Sequence, residues 1–419
     1  MNRVVARLCL IIGIWAALSV TVAAKGQFGI EQLGRAIFKD KNLSLYQNQS
    51  CMTCHHPSAR FADPANVVEP YDSPVSTGSD GTSVGGRNTP TAAYSGFIPV
   101  FHEAGPGVYA GGMFWDGRAT GLELGDPLAE QARGPFLNPV EMALPDKGAV
   151  VGIIAVSRYA RLFETVFPGT DFNDTSEENI NTIYNNIALA VAAFERTNRF
   201  NRFSSLFDQF WYVCRSRSIA VSDIGVSVET HDVPQGILSQ SELNGLAVFN
   251  GKGKCSLCHV TTDFTDDNGE VLPPMFTDFT YDNLGLPKNT RIDDLQGAPQ
   301  PIDYGLGGRS DISAKDPVVV PDGIGGDVTV SAAQAGKFKV PTLRNIFDTA
   351  PYGHNGFFAT LEDIVRFYNT RDVPGAGWES PEVMMNLNME ELGDLGLTSQ
   401  EEADLVAFMK ALSDNCGKW

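Results

Sequence analysis

Two short runs constrain this chain more than any other feature: Cys51-Met52-Thr53-Cys54-His55 and Cys255-Ser256-Leu257-Cys258-His259. In Cys-x-x-Cys-His the two thiols are spaced to form thioethers to one haem. The imidazole directly after them takes an axial position on its iron. A zinc site needs further Cys or His ligands at suitable spacing, and the chain has only six histidines. The pair therefore predicts two covalently attached c-type haems, one held through Cys51, Cys54 and His55, the other through Cys255, Cys258 and His259. The sixth position of each iron then decides the chemistry. Two protein ligands make an electron carrier, whereas one open face admits peroxide or dioxygen.

The N-terminus reads as an export signal. Arg3 and Arg7 precede an apolar run from Leu8 to Val22, and Val22-Ala23-Ala24 offers a small-residue cleavage site. Cleavage after Ala24 is expected, giving a periplasmic protein without stable membrane insertion; an uncleaved anchor is the alternative. Loss of the two arginines takes the net charge from −19 to −21, which excludes nucleic acid and anionic membrane as natural partners. Of the seven cysteines, Cys9 leaves with the leader and four belong to the motifs. Cys214 and Cys416 remain, as one disulfide or as two buried thiols.

Helical periodicity leads into each motif, through Ile30, Leu33, Ile37 and Phe38 and again through Leu243, Leu246, Ala247 and Phe249. A third amphipathic run, Glu401 to Leu412, closes the chain. Little of the sequence alternates with period two, so sheet content should be small. The expected fold is mainly α: two class I cytochrome c-like domains, each with one haem, plus long ordered loops. The expected division is a leader (1–24), an N-terminal haem domain (25–210), an aperiodic insertion or linker (211–235) and a C-terminal haem domain (236–419). The stretch 77–86 reads as a flexible Gly/Ser loop, and 263–335 as ordered loops around the second haem. A weak internal repeat relates NTPT (88–91) to VPTL (340–343) and WDGRATGLE (115–123) to HNGFFATLE (354–362).

Five segments carry a family likeness: RNTPT (87–91), FWDGRA (114–119), EQARGPFLNPVEM (130–142), FKVPTLRN (338–345) and TAPYGHNGFFATLEDIVRFY (349–368). In these the chain resembles the bacterial di-haem cytochrome c peroxidases and their MauG-type relatives, from about residue 27 to 415. The resemblance implies that the distal ligand of the second haem lies fourteen residues after His354, at Tyr368, where the classical peroxidases have methionine and the MauG-like branch tyrosine. The alternative from the residues alone is that Tyr368 is a core aromatic and that Met384, Met385 or Met389 ligates instead.

The repeat bears on the first haem. Placing Trp115 over His354 and allowing about six extra residues near LGDPLA sets Pro135 over Tyr368, and proline has no donor atom for a metal. The resemblance puts Gln131 and Glu141 around that open face, Glu141 as the acid-base for peroxide. It makes Trp115 a relay between the haems, and Asn88, Thr349 and Pro351 a calcium site between the domains. The classical peroxidases close the first haem with a loop histidine, yet none occurs between Pro57 and Phe101. His56 is adjacent to the proximal ligand, and His102 is the one loose candidate, read instead as a surface or packing residue. MauG-type enzymes also use a surface tryptophan two residues before the second motif, where this chain has Gly253.

The function implied by this resemblance is that of a MauG-like enzyme, akin also to the di-haem enzyme of methanobactin operons. Hydrogen peroxide would raise both irons to a high-valent state, and that state would oxidise a partner protein at tryptophan. The alternatives are a di-haem cytochrome c peroxidase fed by a small redox protein, and a non-catalytic di-haem electron carrier.

Overall fold

A computed structural model describes residues 29–266 and 268–415. The predicted leader and Cys416 lie outside them. Among the described residues the helices are α1 (29–38), α2 (Cys51–Cys54), α3 (Pro64–Val68), α4 (Pro127–Leu137), α5 (Lys147–Ala155), α6 (Ala160–Val166) and α7 (Glu177–Glu195). There follow α8 (Leu206–Ser216), α9 (Gln240–Asn250), α10 (Thr290–Gln296), α11 (Ser310–Ser313), α12 (Leu361–Thr370) and α13 (Ser399–Lys410). Strands are confined to two-stranded antiparallel pairs, the longest joining Pro317–Pro321 to Asp327–Ser331. No helix among the described residues is long and apolar enough to cross a membrane.

The apolar side chains sort into two main cores, and one helix crossing is built twice. In the first core α1 lies against α7. A Cβ on Gly34 would stand 1.8 Å from the Ala190 carbonyl oxygen, so only glycine permits this approach. In the second core α9 lies against α13, and a Cβ on Gly245 would stand 2.0 Å from the Asp404 carbonyl oxygen. One turn beyond each glycine a phenylalanine meets the other helix edge-on: Phe38 on Phe194 at 5.4 Å and Phe249 on Phe408 at 5.3 Å. Capping boxes start α9 at Ser239/Glu242 and α13 at Thr398/Glu401, satisfying backbone donors that the first turn leaves free.

The repeat seen in sequence is also a repeat of hydrogen bonds. Met113 pairs with Ala119, and Tyr352 with Phe358, in two small antiparallel bridges of the same span. Each closes over a glycine in the left-handed region, Gly117 (φ 71°) and Gly356 (φ 63°). Thr91 Oγ1 donates to the Arg60 carbonyl, and Thr342 Oγ1 to the Met275 carbonyl, both at 2.6 Å. The equivalence thus pairs Pro90-Thr91 with Pro341-Thr342, one residue off the register first read from NTPT and VPTL.

Two expectations need correction. The segment 211–235 does not begin as a linker, because α8 runs through its first residues. Phe207, Phe210, Trp211 and Cys214 form one buried face of α8 within the second core. Starting the segment at 211 cut this i, i+3, i+4, i+7 pattern in half. The loop 77–86 is pinned rather than free: Thr77 pairs with Val84, Asp80 accepts from the Thr82 and Ser83 amides, and Ser79 is buried.

Candidate functional site

The second motif follows α9 as a tight turn over Cys255–Leu257. Cys255 and Cys258 are free thiols. His259 Nδ1 lies 2.9 Å from the Phe276 carbonyl oxygen. A carbonyl only accepts, so Nδ1 carries the proton and Nε2 keeps its lone pair for a metal. Burial also pushes the imidazole below its usual range, toward the neutral form that ligation needs. Cys255, Cys258, His259 and Tyr368 line one deep cavity, Tyr368 reaching it from α12. None of the three candidate methionines lines it. Met384 and Met389 stand exposed at the surface, and Met385 packs elsewhere, beside Tyr304 and Val330.

The first motif repeats this device. Cys51 and Cys54 bound α2 as free thiols, and His55 Nδ1 donates to the Phe61 carbonyl at 2.9 Å. Glu141 lies close enough to both thiols for its charge to raise them. Asn138 Nδ2 donates to Glu141 Oε1 at 2.6 Å, and the Glu141 carbonyl accepts from the Ser79 amide. Burial lifts the Glu141 carboxyl above the usual carboxylate range, against the pull of Asn138 and Arg118. Gln131 and Pro135 sit half-buried on α4, one turn apart. Pro135 lies nine residues past the N-cap Asp126, and Tyr368 eight past the N-cap Thr360, so the two helices correspond to within one residue. Both loose histidines are occupied at the surface: His56 bonds Ser58, and His102 bonds the Val100 carbonyl.

Between the motifs, Trp115 Nε1 donates to the Asn88 carbonyl at 2.9 Å, while the Trp115 carbonyl accepts from Lys339. The indole is thus held within the first half, while the Trp115 backbone is tied to the second. Asn88, Thr349 and Pro351 line the same cavity as Trp115 and His354. His354 stacks flat on Phe338 at 3.5 Å, and its buried Nε2 has no partner. Lys339 is buried on one acceptor, the Gly112 carbonyl, and burial drives its ammonium down to about 7. A carboxylate-bearing cofactor would satisfy both groups, and the free thiols with a committed Nδ1–H suit a covalently held haem. The residues present therefore fit the group that the motifs imply.

Several polar residues here had no signal in the sequence. Asp282 and Glu391 flank Cys258 and share Asn388 Nδ2 at 2.5 and 2.7 Å. Asp303, paired in two hydrogen bonds with Arg87, lines the cavity. Glu195 is buried at the end of α7 with Oε2 unpartnered.

The methylamine utilization protein MauG of Paracoccus denitrificans is 35% identical over 412 residues, a match spanning 95% of this chain and 92% of that protein. The chain belongs to the di-haem cytochrome c peroxidase family. The family model described as di-haem cytochrome c peroxidase matches residues 30–213. Two solved structures agree with the family fold. The di-haem peroxidase BthA of Burkholderia thailandensis has 28% identity and a TM-score of 0.70, over 92% of this chain and 86% of that one. A MauG-like protein associated with microbial copper homeostasis has 27% identity and a TM-score of 0.58, over 92% and 89%. As a member of the di-haem cytochrome c peroxidase family, the protein is a haem-dependent oxidoreductase that uses peroxide.

Proposed function

We propose that the protein is a MauG-like member of the family, in which peroxide supplies two oxidising equivalents that are then drawn from a partner protein, at tryptophan. The observation that carries this reading is Tyr368 lining the cavity of the second motif while the three methionines lie elsewhere. On this reading each half is a class I cytochrome c-like domain.

Covalently held haems supply the iron that reacts with peroxide and the storage for oxidising equivalents. The protein's own residues do the rest. His55 and His259 are aimed by the carbonyls of Phe61 and Phe276. Tyr368 would hold the second haem's iron through a hard oxygen, which would favour its higher oxidation states. Pro135 offers the first iron nothing, and Gln131 stands one turn away to bond peroxide or water. Asn138 engages Glu141 Oε1, leaving Oε2 to take a proton from peroxide and return it to the departing oxygen. Trp115 relays electrons between the halves. Asn88 Nδ2 is spent on the Pro74 carbonyl, so its amide oxygen, with Thr349 and Pro351, would help to hold a calcium ion. The acidic chain acts in the periplasm, after cleavage behind Ala24.

Mixing the diferric protein with one equivalent of peroxide tests the reading. A long-lived two-electron-oxidised spectrum without prior reduction is expected, and ferric EPR should show one high-spin and one low-spin centre. Reaction of only the half-reduced protein would make it an ordinary cytochrome c peroxidase, and two low-spin signals would make it an electron carrier.

A further inference from the structure

Three tryptophans lie among the described residues, and their indole N–H groups are treated differently. Trp115 donates to a backbone carbonyl and Trp378 to the hydroxyl of Thr370. Trp211 donates to a carboxylate, Asp263 Oδ1, at 2.7 Å. That difference matters for redox chemistry. An indole that loses an electron becomes a cation with an acidic N–H, and a carboxylate on that N–H stabilises the charge and accepts the proton.

Trp211 is also placed between the interior and solvent. It is 2% exposed and belongs to the second core with Phe207 and Phe276. The Phe207 and Phe276 rings meet at 5.0 Å, and the Phe276 carbonyl holds His259. On its other side, Trp211 touches the ring of Tyr212 at 4.9 Å, and Tyr212 is 54% exposed. One further group opposes oxidation: the Arg215 guanidinium lies 5.3 Å from the Trp211 ring centroid and pairs with Asp263. The Arg215 side chain is 45% exposed and that of Asp263 42%, so solvent screens both charges; only Asp263 bonds the N–H and can take its proton.

We propose that Trp211 and Tyr212, with Asp263 as positioning residue and proton acceptor, form an outlet by which oxidising equivalents of the second haem site reach the surface. The proposal rests on the MauG-like reading and supplies the exit that Gly253 does not. In each pass one electron moves from Trp211 to the peroxide-oxidised site, and the indole proton shifts to Asp263. Tyr212 then gives an electron to the Trp211 radical. The indole regains its proton from Asp263, and the phenol proton leaves to water. A surface reductant restores Tyr212 with one electron and one proton. Two passes supply the two electrons that reduce one peroxide to water.

The test uses the protein with both haems attached, mixed with equimolar peroxide and no partner. Frozen samples are read by EPR for an organic radical, and denaturing gels and fluorescence for dityrosine-linked dimers. Wild-type protein should give both, Tyr212→Phe should lose the dimers, and Trp211→Phe should slow their formation about tenfold or more, the loss of roughly 1.4 kcal/mol of transition-state stabilisation. Asp263→Asn, which keeps an oxygen acceptor without the charge, should slow radical formation and make it accelerate with rising pH. Arg215→Gln should speed it. The exposed Tyr212 variant keeps the test decisive should Trp211→Phe fail to fold. Dimers in Tyr212→Phe at the wild-type rate, or a long-lived oxidised state in wild type without radical or dimers, overturns the outlet alone. Absence from wild type of a long-lived oxidised state, an organic radical and dimers alike overturns the MauG-like reading and the outlet with it.

Discussion

At the scale of single residues, two carboxyls shaped by burial carry distinct predictions. Glu141 sits beside the first motif with its pKa raised chiefly by desolvation. Glu141→Gln should slow the reaction with peroxide by about 10²–10⁴, the usual worth of a positioned acid-base. In stopped-flow mixing the wild-type rate should fall on acidification through a limb above the ordinary carboxylate range, as the base becomes protonated. The variant should lack that limb. Glu195, 4% exposed with Oε2 unpartnered, is pushed up to about 8 by burial. A raised carboxyl binds more protons folded than unfolded, so stability falls as pH rises from about 4.5 toward 8 and levels off above it. Glu195→Gln should flatten the Tm difference between pH 5 and pH 8, measured by calorimetry. The residues whose chemistry is written in spacing were the two Cys-x-x-Cys-His motifs, whereas Tyr368 was singled out only by the family resemblance, fourteen residues past His354. Glu195, Lys339 and Asp282 stayed hidden because burial by distant segments, rather than local pattern, makes them unusual.

At the scale of elements, the crossings of α1 on α7 and of α9 on α13 each rest on one glycine. Gly245→Ala places a methyl group 2.0 Å from a backbone oxygen that has no flexible end to move. The helices must separate, at a cost of about 1–3 kcal/mol, and the loss should appear as a lower Tm. Gly34→Ala should do the same in the first core. Periodicity disclosed α1, α9 and α13 because each presents one apolar face. It disclosed α8 poorly, since Phe207, Phe210, Trp211 and Cys214 straddle the point at which the surrounding sequence turns polar. Nothing in the composition of 77–86 showed that the loop would be pinned, because its partners, Glu141 and Asn48, lie far away in sequence.

At the scale of the whole molecule, the halves are joined by a buried polar knot. Asp414, 5% exposed, accepts from Tyr94 Oη and Asn345 Nδ2 through one oxygen and from the Ser204 amide through the other. Arg344 lies over Tyr94 and Phe203 while paired with buried Asp208. Asp414→Ala leaves two buried donors, Tyr94 Oη and Asn345 Nδ2, without this acceptor, at about 1–3 kcal/mol each, and frees the half-buried Ser204 amide and hydroxyl as well. Limited proteolysis should then release the halves as separate fragments under conditions where wild-type protein stays intact. The duplication was legible in WDGRATGLE and HNGFFATLE, but the knot was not, because its members come from four separated stretches. The α9–α13 crossing has a further consequence during biosynthesis. The helix that completes it, α13, is made about 140 residues after Cys258. Whatever the rate at which the chain is delivered, the second thiol pair stays unenclosed until that stretch has followed it. That delay gives the machinery that stitches porphyrin to protein an unobstructed target before the half closes around it.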